Sequence, residues 1–144
     1  MLATGIGENL SPLPALPPCY IVICKPSVSV STQEAYQKAD NCIILHRPDT
    51  QILCNALKEQ NLSAVSQNMK NVFQEAMALE DVHIITELMI QNNALGACMS
   101  GSGSAVFGIF ETEQKALFCS NILKQTFHHV FICKPTKHGV KSQS

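Results

Sequence analysis

The stretch "LGACMSGSGSAVFGIF", residues 95–110, places Ser100-Gly101-Ser102-Gly103 between two apolar runs. A plain hairpin needs one or two residues that tolerate positive φ, most often Asn-Gly or Asp-Gly. This joint carries two glycines and three serines, counting Ser104, with neither Asn nor Asp. Glycines let another molecule approach the main chain, and exposed N–H groups and hydroxyls suit anionic oxygens. The letters alone leave two readings open, a structural hairpin and a phosphate or ligand loop. They do exclude several nucleotide and hydrolase motifs. No Lys follows either glycine, Val106 stands where G-x-G-x-x-G needs its last glycine, and no Ser has Gly at both −2 and +2.

Outward from the loop, the apolar runs read as two adjacent strands. Downstream, Thr112 caps a helix with Ala116, Leu117, Ser120 and Leu123 on one face, and "HVFICKP" closes as a strand. Upstream, residues 50–92 hold several helical stripes, among them Leu62, Val65, Met69 and Ile85, Leu88, Met89, ended by Asn92-Asn93. "CYIVICKP", 19–26, is a β-branched run stopped by Pro26. The following "STQEAYQKAD" places Ser31 and Glu34 at capping-box spacing, which predicts that a helix begins there. Residues 1–18 end in "SPLPALPP", whose four prolines predict an extended lead-in or linker. The unit expected is 19–135, with a polar tail at 136–144. Strand, helices, strand, strand, helix, strand makes an α+β two-layer sandwich: a four-stranded antiparallel sheet with helices on one face. "YIVICKP" resembles "VFICKP", which convergence between edge strands would explain.

Composition narrows the partners. With 10 basic and 11 acidic residues in 144, nucleic acid is not an expected ligand. No run approaches the ~18 apolar residues of a membrane span, and the N-terminus lacks a signal-peptide pattern. Cys19, Cys24, Cys42, Cys54, Cys98, Cys119 and Cys133 are odd in number and form no C-x-x-C pair. They read as reduced, mostly core thiols of a cytoplasmic protein. His46, His83, His128, His129 and His138 show no liganding spacing, so no metal site is expected. Met69, Met77, Met89 and Met99 read as core filler, Lys25 and Lys134 as solubilising strand ends, and Asp40, Asp49 and Asp81 as helix or turn caps.

"GACMSGSGSAVFGIF" closely resembles the third motif of the GHMP kinases. "ATGIGENLSPLPALPPCYIVICKPSVSVSTQEAY" and "KNVFQEAM" are similar, more narrowly, to the branch acting on 4-diphosphocytidyl-2-C-methyl-D-erythritol. The likeness runs from about Ala3 to about Lys134. It implies the ferredoxin-like C-terminal domain of such an enzyme, which phosphorylates the substrate 2-hydroxyl in non-mevalonate isoprenoid biosynthesis. It further implies ATP and Mg²⁺ in the full-length enzyme, none of either in this chain, and an N-terminal ATP-binding domain as missing partner. Nothing here matches "GLGGGSSDAA", so no catalytic residue carries over and the chain alone is expected to be inactive. Ser100, Gly101, Ser102 and Gly103 match the motif that lies beside the phosphates. Ser104 completes the loop, although it and Ala105 replace a common Pro-Thr. The resemblance also implies that Thr32 and Tyr36 fall on the helix that in those enzymes borders the cytidine pocket. There Tyr36 either stacks on cytosine or packs in the core, and Thr32 either binds substrate or caps the helix. The alternatives are another GHMP small-molecule kinase and a stand-alone binding or homodimerisation module.

Overall fold

A computed structural model describes residues 1–136, so the tail and His138 lie outside the described residues, apart from Thr136. Its sheet is built from β3 (Tyr20–Lys25), β4 (Gly96–Met99), β5 (Val106–Phe110) and β6 (His129–Cys133). The strand order is β4-β5-β3-β6, antiparallel throughout. Residues 95–110 thus form two neighbouring strands, with Met99 opposite Val106. β3 lies inside the sheet and pairs directly with β6, so a shared edge position does not account for their similar sequences.

The helices are α1 (Thr32–Asn41), α2 (Thr50–Lys58), α3 (Leu62–Gln67), α4 (Val72–Met77), α5 (Glu80–Gln91) and α6 (Glu113–Leu123). Alternation along the strands turns Val22, Cys24, Val106, Phe110 and Val130 toward Val82, Ile85 and Met89 of α5 and Ala116, Cys119 and Leu123 of α6. Each large side chain buried in this layer contributes about 1.5–3 kcal/mol of transfer free energy. On the other face Ile21, Ile23 and Phe107 are half-buried and Phe131 is exposed.

Local signals predict the helix starts unevenly. Asp49, Asn61, Asn71 and Thr112 each accept a backbone N–H as N-caps. The capping box does not form: Ser31 makes no side-chain cap bond, and Glu34 instead pairs with Lys38 at 3.4 Å. Asp40 lies inside α1, and Asp81 sits in the first turn of α5 behind an N-cap at Leu79, so neither is a cap. The lead-in is extended only from residue 12. Before that, β1 (Leu2–Thr4) and β2 (Asn9–Ser11) pair as a hairpin closed by a Gly7 N–H bond to Thr4 O. All seven cysteines are free; Cys19, Cys24, Cys98 and Cys119 are buried, whereas Cys42 and Cys133 are exposed. Among the described residues no helix is long and apolar enough to cross a membrane, and no cluster of side chains would hold a metal ion.

Candidate functional site

The loop after β4 closes on itself through Ser100 N to Ala105 O at 2.8 Å and Gly103 N to Ser100 O at 3.1 Å. Both glycines have positive φ, +58° at Gly101 and +102° at Gly103. They differ in surroundings. A Cβ on Gly103 would meet Met99 Sδ at 2.7 Å, whereas one on Gly101 would meet nothing within 4 Å. Gly103 therefore seats the loop on the core, and Gly101 turns its main chain toward open space.

Two segments that the sequence separates by 70 residues meet at this loop: Thr32 Oγ1 lies 3.0 Å from Ser102 Oγ. Thr32 thus joins the start of α1 to the glycine loop. Tyr36 follows one turn later on the same helix and is 57% exposed as a residue, while Ala35 is the α1 residue that enters the core. The Tyr36 ring rests edge-on against Phe73, with centroids 4.9 Å apart and planes at 71°, a favourable aromatic arrangement.

α4 holds this assembly from behind. Asn71 Oδ1 caps the helix by accepting Phe73 N, while Asn71 Nδ2 donates to both Met99 O and Gly101 O, each at 2.8 Å. Gln74 Oε1 accepts Met99 N at 2.7 Å. The two side chains satisfy the N–H and C=O of Met99, at the end of edge strand β4, as a neighbouring strand would. Glu75 meanwhile accepts the N–H groups of Leu45 and His46. The Leu45 N–H, ahead of other contacts, holds this carboxyl below its usual range. Beyond α4 an open cleft of about 470 Å³ runs along the β4 edge between α4 and α5.

Ser104 points the other way. It is fully buried, donates its hydroxyl to Val28 O, and accepts Lys25 Nζ at 2.8 Å. Lys25 is not a solvated strand end, since it folds back onto the loop, and Lys134 lies 4.7 Å over the Tyr20 ring. Sequence reasoning missed Lys25, Asn71, Phe73 and Gln74. An Asn before an apolar helical run signals the cap at Asn71, but nothing local tells that its amide reaches another loop.

The family description "GHMP kinases C terminal" matches residues 53–129. A 4-diphosphocytidyl-2-C-methyl-D-erythritol kinase of Clostridioides difficile is 38% identical over 143 residues, covering 97% of this chain and 48% of that protein. Its namesake from Alkaliphilus oremlandii is 45% identical over 119 residues, covering 80% and 40%. A crystal structure of 4-(cytidine 5'-diphospho)-2C-methyl-D-erythritol kinase superposes with a TM-score of 0.70 at 24% identity, over 93% of this chain and 48% of that one. The homoserine kinase of Cytophaga hutchinsonii gives 0.72 at 20%, over 89% and 44%. At these identities the superpositions establish the fold. The chain spans about half the length of the curated relatives it matches.

Proposed function

Since this chain belongs to the GHMP kinases and corresponds to their C-terminal domain, we propose that it forms the substrate side of an ATP-dependent kinase for 4-diphosphocytidyl-2-C-methyl-D-erythritol. The reaction places a phosphoryl group on the substrate 2-hydroxyl, a cytoplasmic step of non-mevalonate isoprenoid biosynthesis. The names of the relatives support this substrate. Within the chain, the supporting observation is the contact between Thr32 and Ser102. It joins a loop suited to phosphate oxygens to a helix presenting an exposed aromatic ring, the two groups that a cytidine diphosphate requires.

In this reading the N–H groups of Gly101 and Ser102, with the hydroxyls of Ser100 and Ser102, receive diphosphate oxygens, since the Ser100 and Gly103 N–H groups close the loop; Tyr36 stacks on cytosine, and Thr32 holds the two parts at fixed spacing. Ser104, with its hydroxyl committed inward, serves as a strut. Phosphoryl transfer is accelerated mainly by positioning and charge stabilisation, so a domain without a base still contributes. ATP and the groups acting on it belong to the N-terminal partner domain. The loop offers no carboxylate for Mg²⁺, and no cluster elsewhere among the described residues fits the ion, so no step is assigned to it here.

The test is a titration of the chain with cytidine 5'-diphosphate and, separately, inorganic pyrophosphate, followed by amide shifts of Gly101 and Gly103. Cytidine diphosphate should bind more tightly by roughly 1–3 kcal/mol, the worth of one base stacked on an aromatic ring. Tyr36→Ala should erase that difference and Tyr36→Phe should keep it. Equal binding by wild type and Tyr36→Ala would remove the cytidine assignment and leave a GHMP kinase for another small molecule.

A further inference from the structure

Lys25 closes β3, a place where a lysine ordinarily runs out into water. Its side chain instead turns back beneath the glycine loop. The ammonium donates to Pro26 O and Val28 O at 3.0 Å each and to Ser104 Oγ at 2.8 Å. An ammonium has three N–H groups, and here each has an oxygen. None of the three acceptors is charged, and Lys25 takes part in no ion pair among the described residues. A partly buried cation is normally matched by an anion, because hydrogen bonds to neutral groups replace only part of its hydration. The arrangement holds the ammonium in place with neutral oxygens and with no carboxylate paired to it among the described residues.

The three acceptors also define what the charge holds. Val28 lies on the segment leading to α1, and Ser104 ends the glycine loop. Ser104 is buried, and its hydroxyl is locked between Lys25 Nζ and Val28 O. Lys25 therefore ties together, from below, the same two segments that Thr32 and Ser102 join at the surface. Moving the ammonium would shift both sides of the candidate site at once.

We propose that Lys25 is a positioning residue for the phosphate-bearing ligand of the glycine loop, acting through Ser104 and supplying the fixed positive charge that the loop itself lacks. With all its N–H groups engaged, it acts on the ligand through space. Its attraction therefore extends over several ångströms and weakens as salt is added. This rests on the loop being the phosphate site, and the experiment separates the two claims.

The probe is inorganic pyrophosphate, titrated into the 144-residue chain and its variants at low and high ionic strength, with the amide spectrum reporting both fold and binding. Lys25→Met keeps most of the stem and removes the charge, and Lys25→Gln keeps a hydrogen-bonding head should the methionine variant unfold. Either should weaken pyrophosphate binding about ten-fold at low salt and flatten its salt dependence. Ser104→Ala removes the bridge but leaves the ammonium, so affinity should fall less and the salt dependence should stay as in wild type. Wild-type affinity in a folded Lys25→Met or Lys25→Gln chain overturns the proposal. So does a loss of affinity equal at all salt concentrations, which would show a purely structural role. If wild type itself shows no shift at Gly101 and Gly103, the loop is not a phosphate site and the inference falls with it.

Discussion

Replacing Asn71 by alanine removes three hydrogen bonds from one side chain: the cap to Phe73 N at 2.9 Å and the two donations to Met99 O and Gly101 O at 2.8 Å. The three differ in worth. Losing an N-cap of this kind costs about 1 kcal/mol. Met99 is buried, so its carbonyl cannot turn to water and its loss adds about 1–1.5 kcal/mol. The Gly101 carbonyl lies at an exposed bend and can be hydrated, so it adds about 0.5 kcal/mol. The sum is about 2.5–3 kcal/mol, a large part of the ~5–15 kcal/mol that holds a domain together. At roughly 3–4 °C per kcal/mol for this size, Tm should fall by about 7–12 °C. Asn71→Ser separates the parts: its hydroxyl still caps α4 but cannot reach the loop, so it should retain about 1 kcal/mol relative to alanine. Urea unfolding followed by circular dichroism gives both values. Amide exchange at Ser100 and Gly103 should quicken in the serine variant beyond what the global change explains, because only the loop tie is lost. A loss below about 0.5 kcal/mol in both variants would falsify the view that α4 holds the loop.

Gly103→Ala places a Cβ 2.7 Å from Met99 Sδ at a φ of +102° and should cost roughly 1–3 kcal/mol, whereas Gly101→Ala, with open space around it, should cost about 1 kcal/mol; thermal unfolding that ranks them the other way contradicts the seating described for the loop. The thiols give a test by pH. Burial lifts Cys24 to about 12 and Cys98 and Cys119 to about 11, so all three stay protonated in the folded chain at neutral pH. Unfolding returns them to about 9, so their contribution to stability is complete below that pH and is lost as pH rises through 11–12. Iodoacetamide at pH 8 should modify Cys42 and Cys133 first and reach Cys24, Cys98 and Cys119 only on unfolding, as peptide mass mapping would show.

The elements were legible in the sequence because their signals are local. The apolar, β-branched or aromatic runs "YIVICK" and "VFGIF", helical stripes between residues 50 and 92, and Thr112 before its helix each depend on a few neighbouring residues. Glycine and serine at 100–104 likewise mark a loop by residue type alone. The Ser31–Glu34 spacing marks the start of α1 correctly, with Ser31 at the N-cap, although the reciprocal side-chain bonds do not form because Glu34 pairs with Lys38 one turn away. A capping box and an i,i+4 pair compete for the same carboxylate on an exposed helix end. What tertiary structure alone decided was which polar groups meet. Asn71 reaches Gly101 across 30 residues, Thr32 reaches Ser102 across 70, and Lys25 reaches Ser104 across 79. Apolar periodicity predicts that a face is buried without naming what covers it, and a polar side chain takes whichever unsatisfied group the packed layers bring within about 3 Å. Here the sheet order β4-β5-β3-β6 places the ends of β3, β4 and β5 around one loop, so Lys25, Thr32 and Asn71 converge on it although no pattern along the chain connects them.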